Sequence, residues 1–203
     1  MATTSLVPKD LRTENIKTLK PRERILKTAY ALFNEFGFNT VGVDRIVAES
    51  DVSKRSFYDH FPSKSDLMSA TLEFRDWLRF SDMEKRVSEG THDPKQEILA
   101  IFDSLKDWFA EEDFNGCAFN RGLSEFNIKE SKPLRDKVGA HFEKWNDFIR
   151  TRLLLLTTPD KVEILLPQLL TLITGAPIVA QISGNGDVAA LNKKIAERLL
   201  NEL

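Results

Sequence analysis

The sequence is poor in the features that mark secreted, disulfide-bonded or membrane proteins. A single cysteine, Cys117, among 203 residues excludes an intramolecular disulfide. No run reaches the roughly 18 uncharged apolar residues of a membrane span, since the most apolar stretch, Val162 to Ile182, contains Glu163 and two prolines. Residues 1–20 lack the apolar core of a signal peptide. We therefore expect a cytoplasmic protein with no membrane partner.

An excess of charge of one sign is missing from the whole chain but not from its parts. The net charge is −2, from 29 Lys and Arg against 31 Asp and Glu. Residues 1–64 contain 11 basic and 8 acidic residues, whereas residues 65–203 contain 18 basic and 23 acidic residues. The N-terminal third is thus basic and the remainder acidic. This asymmetry favours an anionic partner, such as nucleic acid, at the N-terminal end.

Apolar residues recur with helical spacing along nearly the whole chain, and no strand-like alternation of useful length is present. In the first segment they stand at positions 25, 29, 32, 33 and 36, and Gly37 follows where a helix C-cap is expected. Ser63 with Asp66 predicts the start of a long helix that reaches about Val87. The predicted fold class is all-α. Further helix breaks are expected at Asp51, Pro62, residues 88–93 (with Asp93-Pro94 as the restart), residues 113–116, Thr158-Pro159 and residues 185–187.

Three short N-terminal helices with a tight turn between the second and third describe a helix-turn-helix. In the third, Lys54, Arg55 and Tyr58 share one face because they are spaced three and four residues apart. Long cationic side chains can donate to guanine O6 and N7 or to phosphate oxygens. Lys64 lies in the first turn of the next helix, where free N–H groups and the helix dipole favour a phosphate. We therefore expect this surface to face DNA.

The chain resembles the TetR family of transcriptional regulators over the segment VDRIVAESDVSKRSFYDHFPSKSDL, residues 43–67. The preceding segment, with Ala29, Leu32, Phe33 and the run from Phe36 to Phe38, is similar to the first helix of that family. The resemblance covers about residues 21–70, and its most specific part runs from Phe57 to Lys64.

The resemblance implies a homodimer whose third helices enter successive major grooves of double-stranded DNA. It also implies a helical C-terminal domain that binds a small effector and dimerises through its last two helices, about residues 158–203. The expected organisation is a flexible tail over residues 1–20, a helix-turn-helix domain over 21–68 and an effector-binding and dimerisation domain over 69–203. Carried over position by position, the resemblance places in the groove Lys54, Arg55, Ser56 and Tyr58, and on phosphates Tyr58, His60 and Lys64.

Two positions depart from the family pattern. The family usually has Gly in the turn of the helix-turn-helix, where this chain has Asp51, a residue that tolerates the left-handed conformation less well than Gly does. The N-cap of the second helix, usually a hydroxyl residue that can touch phosphate, is Gly42 here. Glycine caps a helix acceptably but offers no hydroxyl. We therefore expect the fold to be retained.

Aromatic-rich faces on the later helices predict either a dry core or an effector pocket. An apolar cavity with a few polar anchors is the usual form of a small-molecule site. Polar groups can come from Asn120, Glu125 and His141, which favours a small, largely apolar effector. The candidate ligand-binding residues are Phe102, Leu105, Trp108, Phe119, Asn120, Leu123, Phe126, His141 and Trp145.

Apolar stripes on the last two helices predict the dimer interface. One stripe can face the core of the protomer and another can face a partner, with Gly175 permitting close approach. On this interpretation Leu169→Glu yields a monomer that loses operator binding. The stripes comprise Leu165, Leu169, Ile173 and Ala176 on one helix, and Leu191, Ile195 and Leu199 on the other.

Two other functions remain open. A helical enzyme would use Cys117 as nucleophile and His141 as base, although no orienting partner or oxyanion motif accompanies them. A helical adaptor would keep the fold without binding DNA. His92, Asp93 and His141 lack the short spacing of a metal cluster, so neither a metal nor a cofactor is expected. The leading hypothesis is a ligand-responsive, homodimeric repressor released from a palindromic operator.

Overall fold

In the computed structural model, which describes residues 9–203 except Thr91, Ile128 and Glu130, all regular structure is helical. The predicted all-α class is confirmed, and the helix ends lie close to the predicted breaks. A short 3₁₀ turn, Ile16–Thr18, precedes the helices. These are α1 (Pro21–Phe36), α2 (Val43–Glu49), α3 (Lys54–His60), α4 (Lys64–Glu89), α5 (Pro94–Phe109), α6 (Ala118–Glu125), α7 (Lys132–Leu156), α8 (Pro159–Ser183) and α9 (Asp187–Asn201).

Local signals in the sequence account for several of these helix ends. Gly37 ends α1 with a φ of 86°, a conformation that favours glycine, and its N–H donates to the carbonyl of Phe33. The Ser63 hydroxyl accepts the N–H of Asp66 at 3.1 Å and donates to its carboxylate at 2.7 Å, which fixes the start of α4. The carboxylate of Asp93 caps α5 by accepting the main-chain N–H of Lys95.

The described chain divides into two compact units. The first comprises the described residues up to Leu78 together with Glu125–Lys137, and the second comprises Arg79–Ser124 and Val138–Leu203. The first unit therefore extends beyond the helix-turn-helix domain expected over residues 21–68. Segments distant in the chain complete it, and sequence order alone gives no sign of that.

Helix α1 is the centre of the first unit, because α2, α3 and the 3₁₀ turn all pack on it. Its apolar side chains are buried at the positions that the helical spacing predicts. Ile46 from α2 and Phe57 from α3 are fully buried as well, which fixes the orientation of both short helices. The buried side chains of α1 include Ile25, Ala29, Leu32 and Phe33.

The segment expected to form a flexible tail, residues 1–20, is described in part. Within residues 9–20, Leu11 and Leu19 are buried, and the 3₁₀ turn packs on α1. The Nζ atom of Lys27 in α1 donates to three main-chain carbonyls of this segment at 2.6–2.9 Å. Residues 1–8 lie outside the described residues.

In the second unit, α5 packs against α8 and α9, and α8 packs against α9. The α8 stripe predicted from the sequence forms part of this core: Leu169 and Ala176 are fully buried and Leu165 is 9% exposed. The expectation that Leu169 lies on a surface available to a partner is therefore wrong. The large apolar side chains that α8 does expose are Ile164, Ile178, Val179 and Ile182.

Among the residues that the structure describes, α8 alone is long and apolar enough to cross a membrane by length and composition. A core helix of a soluble protein passes the same test. One face of α8 joins the apolar core cluster of the second unit, which accounts for the apolar residues on that face.

Candidate nucleic-acid interface

The turn between α2 and α3 adopts the left-handed conformation, although Asp51 stands there in place of glycine. Asp51 has a φ of 52°, in the left-handed region where the family usually has Gly. Its carboxylate lies 3.3 Å from Nη1 of Arg24 in α1, an ion pair that ties the turn to the centre of the unit. Ser53 follows as the N-cap of α3, and its hydroxyl accepts the N–H of Ser56. The turn is thus formed without the usual glycine.

Helix α3 presents one buried and one exposed face. Phe57 is fully buried, whereas Tyr58 is 45% exposed and packs edge-on against the Phe57 ring at 5.2 Å. The predicted groove residues are exposed, apart from Ser56, which is half-buried and whose N–H caps the helix. The exposed predicted contacts on α3 are Lys54, Arg55, Tyr58 and His60.

Lys54 is exposed but engaged within the protein. Its Nζ donates to Oδ1 of Asp44 in α2 at 2.7 Å. This hydrogen bond, together with the negative charge of Asp44, raises the pKa of Lys54 above its ordinary value. Contact between Lys54 and DNA therefore requires exchange of a carboxylate partner for a base or phosphate. The role of Asp44 was not predicted, although its place in the first turn of α2, ten residues before Lys54, was available as a signal.

Lys64 lies at the first residue of α4, as predicted, and is half-buried. Its Nζ donates to the carbonyl of Asn39, in the loop between α1 and α2, at 3.3 Å. Asn39 is held in turn by Glu125, 86 residues further along the chain. The sequence suggested Glu125 as a polar anchor for an effector, and the structure corrects this: Glu125 contacts the helix-turn-helix region. No sequence signal could connect positions so far apart.

The nine predicted effector-site residues are divided between the two units, with Phe126 in the first and the others in the second. Phe102 and Leu105 belong to the apolar core of the second unit, and Leu123 is 47% exposed. Phe126 belongs to the first unit, where its ring lies 5.0 Å from that of Phe38. Trp108 packs against Phe114 at 5.3 Å and beneath the guanidinium of Arg79. Phe126 is buried there and contributes to the core of the first unit.

Three of the predicted residues do form a cluster in the second unit. The His141 ring stacks on Phe119 with ring centres 3.5 Å apart, and its Nε2 accepts the indole N–H of Trp145 at 3.2 Å. Phe80 contacts the Trp145 ring at 4.6 Å. Asn120, which follows Phe119 in α6, donates its side-chain amide to the carbonyl of Thr174 at 3.0 Å. Both candidate polar anchors in this unit thus have partners in the protein.

The second unit also contains a cavity of about 300 Å³ that none of the nine predicted residues lines. Aromatic and polar groups share its walls. They comprise Phe109, Glu111, Phe114, Asn115, Ala180, Gln181, Gly184, Asn185 and Gly186.

The two residues proposed for an enzyme, Cys117 and His141, both lie in the second unit. Nε2 of His141 accepts a hydrogen bond from Trp145, so this nitrogen already serves an indole N–H. Cys117 lies immediately before α6 and is half-buried.

Comparison with known proteins adds independent support to this geometry. The family described as "Bacterial regulatory proteins, tetR family" matches residues 25–71. The HTH-type transcriptional regulator LmrA of Bacillus subtilis is 30% identical over 127 residues, which are 61% of this chain and 66% of LmrA, slightly under two thirds of that protein. The HTH-type transcriptional repressor DhaR of Mycobacterium sp. is 29% identical over 133 residues, 61% of each chain.

The likeness in fold extends over most of the chain. A solved TetR-family transcriptional regulator from Streptomyces coelicolor superimposes with a TM-score of 0.82 at 26% identity, covering 90% of this chain and 95% of that one. The family match in sequence falls on α1 to α4, where the buried and exposed faces of the helix-turn-helix have just been described. Residues 25–71 therefore belong to the tetR family of bacterial regulatory proteins, and the chain has the fold of a TetR-family regulator.

Proposed function

We propose that this chain is a DNA-binding transcriptional regulator that acts as a homodimeric repressor and leaves a palindromic operator when a small effector binds. The observation that carries the proposal is the exposed face of α3, with two cations and a phenol above a fully buried Phe57. Relatives named as regulators, and one named as a repressor, support the same function. Such a protein acts where bacterial DNA is, in the cytoplasm.

In this proposal Arg55 and Lys54 read base edges, and Tyr58, His60 and Lys64 contact phosphates. A bidentate contact from arginine to guanine discriminates against other bases by roughly 1–3 kcal/mol. A phosphate contact carries no sequence information but adds about one unit to the dependence of log affinity on log salt. The two kinds of residue therefore have different signatures.

Selection of bound sequences from a random duplex pool tests the proposal, with a palindrome as the expected result. Lys64→Ala should weaken specific and non-specific duplexes alike, whereas Arg55→Ala should relax preference at particular base pairs. Lys85→Ala is the matched control, because Lys85 is exposed in the second unit and its loss removes the same charge. Wild-type protein that enriches no sequence and shows no salt-dependent affinity would refute DNA binding and favour an adaptor.

The dimer is proposed to form through exposed apolar side chains of α8 and α9. Ile182 is 81% exposed and Leu191 is 58% exposed, on helices that pack against each other. On α8 these side chains recur with helical spacing on the face opposite the core, which is unusual for a surface left in water. The exposed set comprises Ile164, Ile178, Val179 and Ile182 of α8, and Leu191 and Ile195 of α9.

Ile182→Glu tests this interface, because a charge placed there should repel its symmetry mate without entering the core. We expect a folded monomer by light scattering with loss of operator binding. Ser88→Glu, which adds the same charge at an exposed position of α4, is the control. A wild-type monomer at micromolar concentration, or a dimer that survives Ile182→Glu and Leu191→Glu together, would contradict the proposal.

The effector is proposed to be a small, largely apolar molecule bound in the second unit. The stacked rings of Phe119 and His141 beside Trp145 support an aromatic site, and the cavity bordered by Phe109 and Phe114 supports an alternative site. Apolar and aromatic metabolites can be screened by quenching of Trp fluorescence, with Trp145→Phe and Trp108→Phe assigning the signal. Each hit is then tested for release of operator DNA. Hits that quench without changing operator affinity would contradict effector control.

A further inference from the structure

Glu125, the last residue of α6, fits closely against the loop between α1 and α2. Its Oε2 accepts the main-chain N–H of Asn39 at 2.8 Å, and its carbonyl accepts the Asn39 side-chain amide at 3.0 Å. Gly37 has a φ of 86°, and a Cβ atom there would lie 2.7 Å from Oε1 of Glu125. A Cβ atom at this position would therefore displace the end of the Glu125 side chain.

The aromatic residues next to these two contacts pack together as well. Phe38, between Gly37 and Asn39, is fully buried, and its ring lies 5.0 Å from that of Phe126. Three consecutive loop residues thus meet two consecutive residues at the end of α6. This match indicates a fixed contact rather than a chance approach of one exposed side chain.

The contact reaches the predicted phosphate-binding lysine through Asn39. The Asn39 carbonyl accepts a hydrogen bond from Nζ of Lys64 at 3.3 Å. Burial lowers the pKa of Lys64, and the negative charge of Glu125 opposes that effect. Glu125 therefore acts on Lys64 both by holding the loop and by its charge.

We propose that Glu125 is a positioning residue for the DNA-contacting surface: it fixes the loop whose Asn39 carbonyl holds Lys64 at the start of α4. The inference rests on the proposed function. A flexible lysine loses side-chain entropy when it is fixed on a phosphate, and a side chain already held in place loses less. Glu125 thus favours DNA binding although it is acidic.

Whether DNA affinity rises or falls when Glu125 is replaced distinguishes a positioning role from an effect of its negative charge. As a charge alone, Glu125 would repel DNA, so removing it by Glu125→Ala or Glu125→Gln would tighten binding in both cases. As a positioning residue, it needs an oxygen that accepts the Asn39 N–H. Glu125→Gln keeps such an oxygen, whereas Glu125→Ala does not. Only positioning therefore predicts that the two variants differ.

The experiment measures the affinity of the full-length chain for its selected operator across a range of salt concentrations. Glu125→Ala should bind about tenfold more weakly, the loss expected for a hydrogen bond to a charged group, and its salt slope should fall by about one unit. Glu125→Gln should bind at least as tightly as wild type. Glu112→Ala, which removes an exposed acid of the second unit, controls for net charge.

Two further measurements test the path through Lys64. In the double variant of Glu125→Ala and Lys64→Ala, binding should equal that of Lys64→Ala alone, because both changes remove the same contact. Without DNA, hydrogen exchange at the Asn39 amide should be faster in Glu125→Ala and unchanged in Glu125→Gln. This readout also separates loss of the loop contact from global unfolding, which would accelerate exchange throughout the unit.

The outcomes distinguish this inference from the proposed function. Wild-type protein that binds no duplex overturns the proposed function, and this inference with it. Wild-type protein that binds while Glu125→Ala binds equally well, or more tightly, overturns this inference alone. Additive losses in the double variant, or equal losses in Glu125→Ala and Glu125→Gln, overturn it as well.

Discussion

The two compact units differ in how directly their sequences disclose their chemistry. In the first unit the candidate functional side chains are exposed on short helices, whose ends are fixed by capping groups such as Ser53 and Ser63. In the second unit, helical spacing determines which side chains are buried but not which of them leave space for a ligand. An exposed cation on a fixed helix has its direction set locally, whereas a buried aromatic ring depends on every neighbour it meets.

The largest effect is expected from a comparison of two apolar residues on α8, in the second unit. Leu169 is fully buried, and Ile182 is 81% exposed. Leu169→Ala should lower the free energy of unfolding by about 2–5 kcal/mol, since it removes buried methyl groups and leaves a cavity. Ile182→Ala should change it by less than about 0.5 kcal/mol at protein concentrations where the chain is monomeric.

Urea unfolding measures both variants, and dilution separates the contribution of dimerisation from that of the protomer. Equal losses at low concentration would mean that Ile182 also belongs to the core of the protomer. Equally small losses of unfolding free energy would mean that the core around Leu169 relaxes to fill the cavity. Either result would break the assignment of buried and exposed faces on α8.

The second test compares two glycines. Gly37→Ala introduces a Cβ atom 2.7 Å from Glu125 at a φ of 86°, so the first unit should lose about 1–3 kcal/mol of stability. Gly139→Ala should instead stabilise the protein by up to about 1 kcal/mol, because Gly139 is exposed inside α7 and has open space around its Cα atom. Thermal unfolding checks both. A neutral Gly37→Ala would show that the loop can move away from Glu125.

The helix-turn-helix was predictable because its determinants are local. The apolar spacing of α1, the cap at Ser63 and the exposed face of α3 each depend on residues within a few positions of one another. The N-terminal segment was less accessible: Lys27 in α1 holds main-chain carbonyls 13–16 residues away, which no periodic pattern expresses.

The predicted effector site shows where sequence reasoning ends. The aromatic positions of the second unit have the same helical spacing whether they fill a core or line a pocket. Phe126, like its neighbour Glu125, belongs to the first unit: it packs on Phe38, 88 residues earlier in the chain, and the sequence gives no indication of this contact. Likewise, which face of α8 is buried depends on its packing against α5 and α9, and the spacing of its apolar residues does not show this.

A smaller effect is expected from freeing Lys54 on the DNA-facing surface. Asp44→Asn removes the carboxylate that engages its ammonium, which should return the pKa of Lys54 toward its ordinary value and leave the side chain available to DNA. Because the pair is exposed, we expect affinity to rise only about two- to fivefold, with a steeper salt dependence. Glu84→Gln controls for the added positive charge. Unchanged affinity in Asp44→Asn would indicate that Lys54 does not contact DNA.

The smallest effect is expected at Asp51, where the first unit departs from its family. Its φ of 52° costs free energy that glycine would not incur, but glycine also makes the unfolded chain more flexible. Because its carboxylate is 97% exposed, the ion pair with Arg24 contributes little. Asp51→Gly should therefore stabilise the protein by at most about 0.5 kcal/mol. Asp51→Asn removes the charge but still tolerates the left-handed region, so it isolates the ion pair. If chemical unfolding shows both variants to be equally and clearly destabilised, the Arg24 pair, and not the backbone conformation, is what holds the turn.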